Sequence, residues 1–234
     1  FKKNSLPENN KINLFVGNPD ILLPAFKKLL GFEIFKSYNI GYWFWELEDI
    51  PNKWELSSSV IDEIWVCTEY NYKIFSKISN NVKKIPFYIS IDREKLHSLN
   101  DSPFNQKGKF IFFFNFDFTS HIERKNPIGL INAFLLAYEN DDTAHLYLKS
   151  INGDKKLSEK KKILKLIKDH KNITFDDSYC SYNKVMSMIN QSDCYVSLHR
   201  AEGLGFGMAE AMLLGKPVIA TNYSGNLEYM SKSN

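Results

Sequence analysis

Short apolar runs alternate along the chain with stretches in which apolar residues recur every three or four positions. A short apolar run predicts a buried strand, whereas the wider spacing predicts an amphipathic helix. Strands are predicted at residues 11–16, 39–45, 62–67, 83–88, 109–116, 145–150, 172–175, 193–199 and 216–221. Helices are predicted at residues 24–30, 68–78, 127–138, 157–170, 181–192 and 206–214. Regular alternation of strands and helices is typical of an α/β fold with parallel sheets.

Two of the predicted helices carry more detailed expectations. Asn126 precedes Pro127, so we expect Asn126 to cap a helix whose first residue lacks an N–H that would be unpaired in any case. In the helix at 157–170, Leu157, Leu164 and Ile167 recur at helical spacing. We expect these three residues to face inward and the lysines among them to be solvated.

A polar stretch at residues 89–109 separates two groups of predicted elements. It contains proline and glycine and shows no periodicity, which is typical of a linker. We predict two parallel-sheet domains: an N-terminal domain with its linker at residues 1–100, and a C-terminal domain at residues 101–234. The first is short for a doubly wound sheet and the chain starts at Phe1, so we expect an incomplete N-terminal domain in a truncated chain.

Composition narrows the functional classes. The chain has 234 residues, of which 44% are hydrophobic, and its net charge of +3 is too small for the basic stripe of a nucleic-acid-binding protein. Cys67, Cys180 and Cys194 form neither a disulfide framework nor a metal-ligand spacing, so we expect no metal site. With no apolar run long enough to span a membrane and no signal peptide, a cytoplasmic location is predicted.

The segment 199–222 contains the most informative chemistry. Gly203, Gly205 and Gly207 stand between a predicted strand and a predicted helix. In open parallel sheets ligands bind beyond the carboxyl ends of the strands, and N–H groups at a helix start hold phosphate oxygens. Glycines let a ligand approach the backbone closely. The segment therefore predicts a phosphate-binding loop.

Two common nucleotide-binding motifs do not fit this loop. The glycines follow the pattern G-x-G-x-G rather than the G-x-G-x-x-G of dinucleotide-binding proteins, and the next strand ends in Thr221 and Asn222 instead of an acidic residue. The G-K-[ST] sequence of a P-loop is also missing. The spacing disfavours an NAD-dependent oxidoreductase.

Two glutamates, Glu202 and Glu210, bracket the glycines with seven residues between them. Carboxylates repel phosphate but accept hydrogen bonds from hydroxyl groups, and a nucleotide sugar offers a diphosphate together with ribose and sugar hydroxyls. Taken singly, Glu202 could simply favour the helix start and Glu210 could be a solvated helix position. As a pair around this loop, they predict a nucleotide sugar.

Three further residues are candidates by position. Arg124 and Lys125 stand in a predicted loop before the helix at Pro127, where a cation could stabilise the charge on a departing diphosphate. Cations at a helix start oppose the helix dipole, which suggests an anion nearby. His199 ends a strand at the glycine loop and is predicted to contact the donor sugar.

The segment EGLGFGMAEAMLLGKPVIATNYSGNLE resembles the donor-site signature of retaining family 4 glycosyltransferases of the GT-B fold. The stretches ERKNP, GYWFWEL and DEIWVCTEYN are similar to those of a bacterial subgroup with a Trp-rich N-terminal domain. The resemblance implies two Rossmann-like domains, a UDP-, GDP- or ADP-sugar donor, retention at the anomeric carbon, and no required cofactor or metal. It also implies polysaccharide biosynthesis, a glycan or lipid-linked acceptor and peripheral contact with the inner membrane surface.

Site roles follow from the resemblance by position. Lys125, with Arg124, would contact the donor diphosphate, Glu202 would lie by the donor sugar, and Glu210 would bind the ribose. The other implied donor-binding residues are Gly205, Phe206, Gly207, Thr221, Asn222, Ser224 and Gly225. The chain departs from the family at Ser120, where many members have an arginine.

The Trp-rich stretch leaves two interpretations open. Trp43 and Trp45 alternate on a predicted strand, so they either pack inside the domain or line an acceptor cleft in which sugar faces stack on the rings. Glu46 is the nearest polar candidate on the acceptor side, where many family members have a histidine. The leading hypothesis is thus a retaining glycosyltransferase, and the alternative is a non-catalytic relative that binds a nucleotide sugar.

Overall fold

The computed structural model describes residues 11–20, 36–94, 104, 108–138 and 141–231, except the side chains of residues 55–57. The predicted helix at 24–30 lies outside the described residues. The chain divides into two compact units. An N-terminal unit runs to Tyr88 and includes Ala201–Leu204 and the segment from Ser224 onward, and a C-terminal unit comprises Ile89–Arg200 and Gly205–Tyr223. The sequence-based division at residue 100 instead assigns Ala201–Leu204 and the segment from Ser224 onward to the C-terminal domain.

The N-terminal unit is built on a parallel sheet in the order β1-β2-β3-β4. Its strands are β1 (Ile12–Val16), β2 (Tyr38–Tyr42), β3 (Glu63–Val66) and β4 (Val82–Lys84). Two helices follow β2 and β3 along the chain, α1 (Lys53–Ser58) and α2 (Glu69–Phe75). Trp43, Trp54 and Phe75 form the buried centre of this unit, since apolar side chains of one sheet face pack there against α1 and α2.

The C-terminal unit contains a five-stranded parallel sheet in the order β7-β6-β5-β8-β9. Its strands are β5 (Phe110–Asp117), β6 (Ala144–Ile151), β7 (Ile173–Asp176), β8 (Cys194–Ser197) and β9 (Val218–Ala220). Its helices are α3 (Ile122–Lys125), α4 (Pro127–Tyr138), α5 (Leu157–Ile167), α6 (Tyr182–Gln191) and α7 (Phe206–Leu213). Strand order reverses at β5, so the carboxyl ends of β5 and β8 form the topological switch point where ligands bind in such sheets.

The predicted fold class is confirmed, and each of the nine predicted strands is observed. The strand predicted to reach Tyr88 ends at Lys84, because Pro86 has no N–H to give to a ladder. The short helix α1 was not predicted, since six residues are too few to show a helical period.

Two local predictions are wrong. Arg124 and Lys125 lie in the helical turn α3 rather than in a loop, and Asn126 ends that turn in a left-handed conformation with φ of 54°. In α5, Ile163 and Ile167 are the buried pair. Leu157 and Leu164, expected to face inward, are 58% and 43% exposed because the buried stripe follows a different side of the helix. Ile167 was assigned correctly.

Candidate functional site

The switch point is organised by Asn126, which follows α3 directly. Its side-chain oxygen accepts the Gly129 N–H at 3.2 Å and caps α4 as predicted, while its amide donates to the Leu198 carbonyl at 2.8 Å. A backbone hydrogen bond of 2.8 Å from Arg200 to the Arg124 carbonyl runs parallel to this contact. The loops that follow β5 and β8 are therefore tied together at the edge of the sheet.

Arg124 and Lys125 lie at this tied edge. Arg124 is 8% exposed and Lys125 is half-buried. Both stand in the last turn of α3, where cations interact favourably with the helix dipole. Both also stand directly before the start of α4, whose dipole acts on them in the opposite direction, so their position alone does not indicate an anion. What supports a role with an anionic ligand is their place at the switch point.

His199 lies just beyond β8 and is buried, with 1% of its surface exposed. Its Nε2 is 3.2 Å from the Tyr223 carbonyl and its Nδ1 is 3.1 Å from the Ser197 hydroxyl. Its Nδ1 is also 3.2 Å from the Ser197 carbonyl, so both ring nitrogens face carbonyl oxygens, which accept hydrogen bonds. The ring links β8 to the residues that follow β9, and a donor sugar would have to replace the Tyr223 carbonyl to reach Nε2.

Two of the three glycines of the predicted phosphate loop, Gly205 and Gly207, stand at the start of α7. Gly205 adopts the left-handed conformation (φ 86°) and caps α7. Phe206 is 41% exposed at the first position of the helix. Gly207 has a packing role, because a Cβ there would overlap the hydroxyl of Tyr195, which lies on β8 and donates to Asn115.

Glu210 lies one turn inside α7 and is 8% exposed. Its Oε1 accepts the Tyr182 hydroxyl at 2.9 Å. Burial raises the pKa of the Glu210 carboxyl, and the bond from Tyr182 partly opposes that rise. Burial and the neighbouring carboxylate raise the pKa of Tyr182 to about 12, so its hydroxyl stays a donor. Glu210 is thus a buried carboxylate rather than the solvated helix position considered from the sequence.

Glu202 belongs to the N-terminal unit and is 7% exposed. Its N–H donates to the Ser224 hydroxyl at 2.7 Å, and its carbonyl accepts the Gly225 N–H at 2.8 Å. A Cβ at Gly225 would overlap the Gly203 carbonyl, so only glycine fits this approach of two backbones. Ser224 itself has a positive φ of 78°, a strained conformation for serine. Ser224 and Gly225 therefore hold the backbone of Glu202.

The loop carrying Glu202 is attached to α2 of the same unit. The Thr68 hydroxyl donates to the Gly203 carbonyl at 3.1 Å, and it also caps α2 by accepting the Asn71 N–H. Glu228 accepts the Glu69 N–H at 2.7 Å and pairs with Lys84 at 3.0 Å. Sequence spacing did not identify Thr68 or Glu228, since these contacts join residues more than a hundred positions apart.

Thr221 and Asn222 follow β9 in the C-terminal unit. The Thr221 N–H donates to the Ser197 carbonyl at 3.2 Å, which extends the pairing of β9 with β8 by one residue. Thr221 is half-buried and Asn222 is exposed. Both residues therefore lie at the carboxyl end of β9, beside the switch-point strand β8.

The Trp-rich stretch separates into two parts. Trp43 is fully buried against Phe75, which favours the interpretation that it packs inside the domain. Trp45 is half-buried, packs on Trp54 with ring centroids 4.5 Å apart, and donates its indole N–H to the Asp49 carbonyl. The carbonyl of Glu46 accepts the Tyr70 hydroxyl at 3.0 Å, and the Glu46 side chain is half-buried.

A cavity of about 270 Å³ opens beside the start of α4 and extends to α5. Its lining includes Glu123, Asn126, Lys162 and Arg200. Neither Lys125 nor Glu210 lines it, so the donor assignments rest on the switch point and not on this cavity. Within the described residues, no three potential metal-ligating side chains cluster, and no helix is long and apolar enough to cross a membrane.

The chain is similar in fold to several solved structures. The chain is 17% identical to TarM over 94% of its own length and 43% of that chain, with a TM-score of 0.65. It is 13% identical to a UDP-forming trehalose-phosphate synthase from Burkholderia xenovorans, over 94% of its own length and 61% of that chain, with a TM-score of 0.73. It is 13% identical to Anabaena Alr3699/HepE in complex with UDP-glucose, over 93% of its own length and 62% of that chain, with a TM-score of 0.68. These identities show the fold, and the chain spans less than two thirds of each of these proteins.

Among curated protein sequences, none matches this chain. A family model, "Glycosyl transferases group 1", matches residues 99–234. That range covers more than half of the chain and contains β5 to β9, the switch point, Glu202 and Glu210. The chain belongs to the glycosyl transferases group 1 family.

Proposed function

We propose that the chain forms the donor-binding part of a retaining glycosyltransferase. The enzyme would move a sugar, such as a hexose, from a UDP-, GDP- or ADP-sugar to a glycan or lipid-linked acceptor in bacterial polysaccharide biosynthesis. The observation that carries this proposal is the buried Glu210 carboxylate one turn behind the glycine-capped start of α7. A carboxylate there accepts ribose hydroxyls while the helix start faces phosphate. TarM, bound to UDP, and HepE, bound to UDP-glucose, share this fold.

In this proposal each group binds what its chemistry favours. Lys125 and Arg124 stabilise the negative charge that develops on the leaving diphosphate, and the N–H groups at Gly205, Phe206 and Gly207 assist them. Glu202 holds the donor sugar from a backbone fixed by Ser224 and Gly225. The chain's own groups thereby stabilise the departing diphosphate more strongly than the bound donor, which is what accelerates transfer. The enzyme would work in the cytoplasm, at the inner membrane surface, without a metal.

A thermal-shift screen with UDP-, GDP- and ADP-sugars tests donor binding. One of them should raise the melting temperature of the wild-type chain, and Lys125→Ala and Glu210→Ala should each reduce that shift. Lys216→Ala is the matched control, because Lys216 precedes β9 and so stands at the amino edge of the sheet. If no nucleotide sugar stabilises the natural full-length protein, the proposal fails.

Turnover separates the enzyme from the non-catalytic alternative. Donor hydrolysis by the full-length protein, with anomeric configuration of the released sugar followed by NMR, should show retention. Donor binding without hydrolysis or transfer to any glycan acceptor would favour a nucleotide-sugar-binding relative. An inverted product would overturn the retaining mechanism while leaving donor binding intact.

A further inference from the structure

The positive charge of the chain is concentrated around α5. Eight lysines and three acidic residues stand between Asp154 and Lys171, which gives this segment a charge of +5. The whole chain has a net charge of +3, so the remaining residues together carry −2. The lysines are Lys155, Lys156, Lys160, Lys161, Lys162, Lys165, Lys168 and Lys171. The basic character of this protein is therefore a local property of one segment.

One side of α5 combines lysines with exposed leucines. We call this set the outer face of α5, and it consists of Leu157, Lys161, Leu164, Lys165 and Lys168. Leu157, Lys161, Leu164 and Lys168 follow one another at spacings of four, three and four, and Lys165 is four positions after Lys161, so the five positions fall on one side of the helix and its C-cap. The leucines are 58% and 43% exposed, while the buried residues of α5 lie on the other side. The outer face is thus amphipathic along its length, and among the described residues both of its leucines stay substantially exposed.

Two lysines of the outer face, Lys161 and Lys165, differ from a neighbour that stabilises the fold, whereas the third, Lys168, pairs with the adjacent Asp169 at 3.6 Å. Lys160 is half-buried and forms an ion pair with Asp177 at 2.6 Å. By contrast, the described residues contain no ion pair that engages Lys161 or Lys165, and both side chains are exposed. Their charges are available to an external anion.

We propose that the outer face of α5 binds the surface of an anionic lipid bilayer. Clustered lysines are attracted to anionic head groups, and apolar side chains on the same face enter the boundary between head groups and acyl chains. A soluble polyanion would engage the lysines alone and would leave two large leucines exposed without a function. This inference rests on the membrane location in the proposed function and assigns the surface responsible for it, and it does not depend on the identity of the donor.

Flotation with lipid vesicles tests this inference. The wild-type protein should float with phosphatidylcholine vesicles that contain phosphatidylglycerol and not with phosphatidylcholine alone, and added salt should weaken the binding. Replacing Lys161, Lys165 and Lys168 together by Gln should lower the partition coefficient by about tenfold or more. The Leu157→Ser, Leu164→Ser double variant keeps every charge and should lower it by about tenfold as well.

A matched control replaces Lys53, Lys73 and Lys77 by Gln, which removes the same charge from exposed positions of the N-terminal unit. This control should bind vesicles like the wild type. If both triple variants lose vesicle binding equally, the loss is due to the change in net charge and not to the outer face of α5. If the leucine variant binds as well as the wild type and heparin competes equally, the partner is a soluble polyanion and the bilayer proposal is overturned. Circular dichroism and the donor-induced thermal shift confirm that each variant is folded. A protein that binds the donor but does not float with vesicles would overturn the bilayer proposal alone and leave the proposed sugar transfer intact.

Discussion

The Tyr182 hydroxyl, at the first residue of α6, donates a 2.9 Å hydrogen bond to Oε1 of Glu210 on α7. Tyr182 is the hydrogen-bond partner that the described residues provide for this carboxylate. The contact fixes the rotation of the carboxyl group and leaves Oε2 to accept bonds from a ligand. If Glu210 binds ribose, Tyr182 acts as a positioning residue for it.

Replacing Tyr182 by Phe removes this bond and keeps the ring. We expect nucleotide affinity to fall by about threefold to tenfold, the usual worth of one hydrogen bond. The loss of affinity should be confined to ligands with ribose hydroxyls, because only those ligands donate hydrogen bonds to the Glu210 carboxylate that Tyr182 orients. Isothermal titration of the wild type and Tyr182→Phe with a nucleoside diphosphate and its 2′,3′-dideoxy form measures this difference.

Tyr179→Phe is the matched control for that experiment. Tyr179 stands three positions earlier, in the loop before α6, and is 87% exposed, so its side chain is not held by the protein core. The control should bind both ligands like the wild type. An equal loss of ribose and dideoxyribose binding in Tyr182→Phe would show a general packing effect and contradict the positioning role.

The raised pKa of Glu210 links stability to pH. Burial disfavours its charged form in the folded state, so the pKa is higher folded than unfolded. The stability contributed by such a group is present below the unfolded pKa and is lost as pH rises through the folded pKa. Glu210→Gln, which can still accept from Tyr182, should therefore raise the melting temperature at neutral pH. In acid, where Glu210 is protonated, the advantage over wild type should disappear.

The same substitution should weaken nucleotide binding by about tenfold to a hundredfold, because ribose hydroxyls bond more strongly to a charged acceptor. Wild-type affinity should also decline as pH falls through the raised pKa of Glu210. Thermal unfolding and titration calorimetry across a pH series test both signs. If Glu210→Gln is less stable than the wild type at neutral pH, then the buried charge of Glu210 does not destabilise the fold, and this prediction is contradicted.

Ser224 and Gly225 should matter through Glu202 rather than through direct ligand contact. Ser224→Ala leaves the buried N–H of Glu202 without its 2.7 Å partner, which costs about 1–3 kcal/mol. Gly225→Ala should be more severe, because the new Cβ overlaps the Gly203 carbonyl and forces the two backbones apart. We expect donor hydrolysis to fall in both variants, with the larger loss in Gly225→Ala.

Gly215→Ala provides the control for the glycine variant. Gly215 also has a positive φ, 73°, yet a Cβ there meets nothing within 4 Å. It should therefore lose about 1 kcal/mol of stability from backbone strain while keeping its hydrolysis rate. Equal loss of activity in both glycine variants, measured beside their melting temperatures, would assign the effect at Gly225 to general destabilisation.

Sequence patterns predicted the strands well because apolar runs such as that of β5 reflect burial on both faces of a parallel sheet. They did not predict which side of α5 faces inward, since Leu157, Ile163, Leu164 and Ile167 fit more than one helical stripe. Which side of α5 is buried depends on how the helix packs on the sheet, and the spacing of apolar residues along the helix does not determine that packing. The sequence was therefore sufficient to predict the fold class, but not to predict that Leu157 and Leu164 are exposed to solvent.

The same distinction holds at the site. Glu202, Glu210 and the glycines share one short segment, so their spacing alone indicated a loop of unusual chemistry. Tyr182 and Thr68 come from distant segments, and they become identifiable only when α6 and α2 are placed. Their residue types gave no signal, because tyrosine and threonine are common at helix starts and surfaces.

Trp43 should contribute to folding and not to acceptor binding. It is fully buried with its ring 5.3 Å from that of Phe75, and its indole N–H has no hydrogen-bond partner among the described residues. Trp43→Ala should cost about 3–5 kcal/mol of unfolding free energy by leaving a cavity. Trp43→Phe should cost much less, since it keeps an aromatic ring and removes the unpaired polar N–H. Urea unfolding measures both values, and the Michaelis constant for acceptor should stay unchanged in Trp43→Phe. A large rise in that constant with normal stability would restore Trp43 to the acceptor cleft.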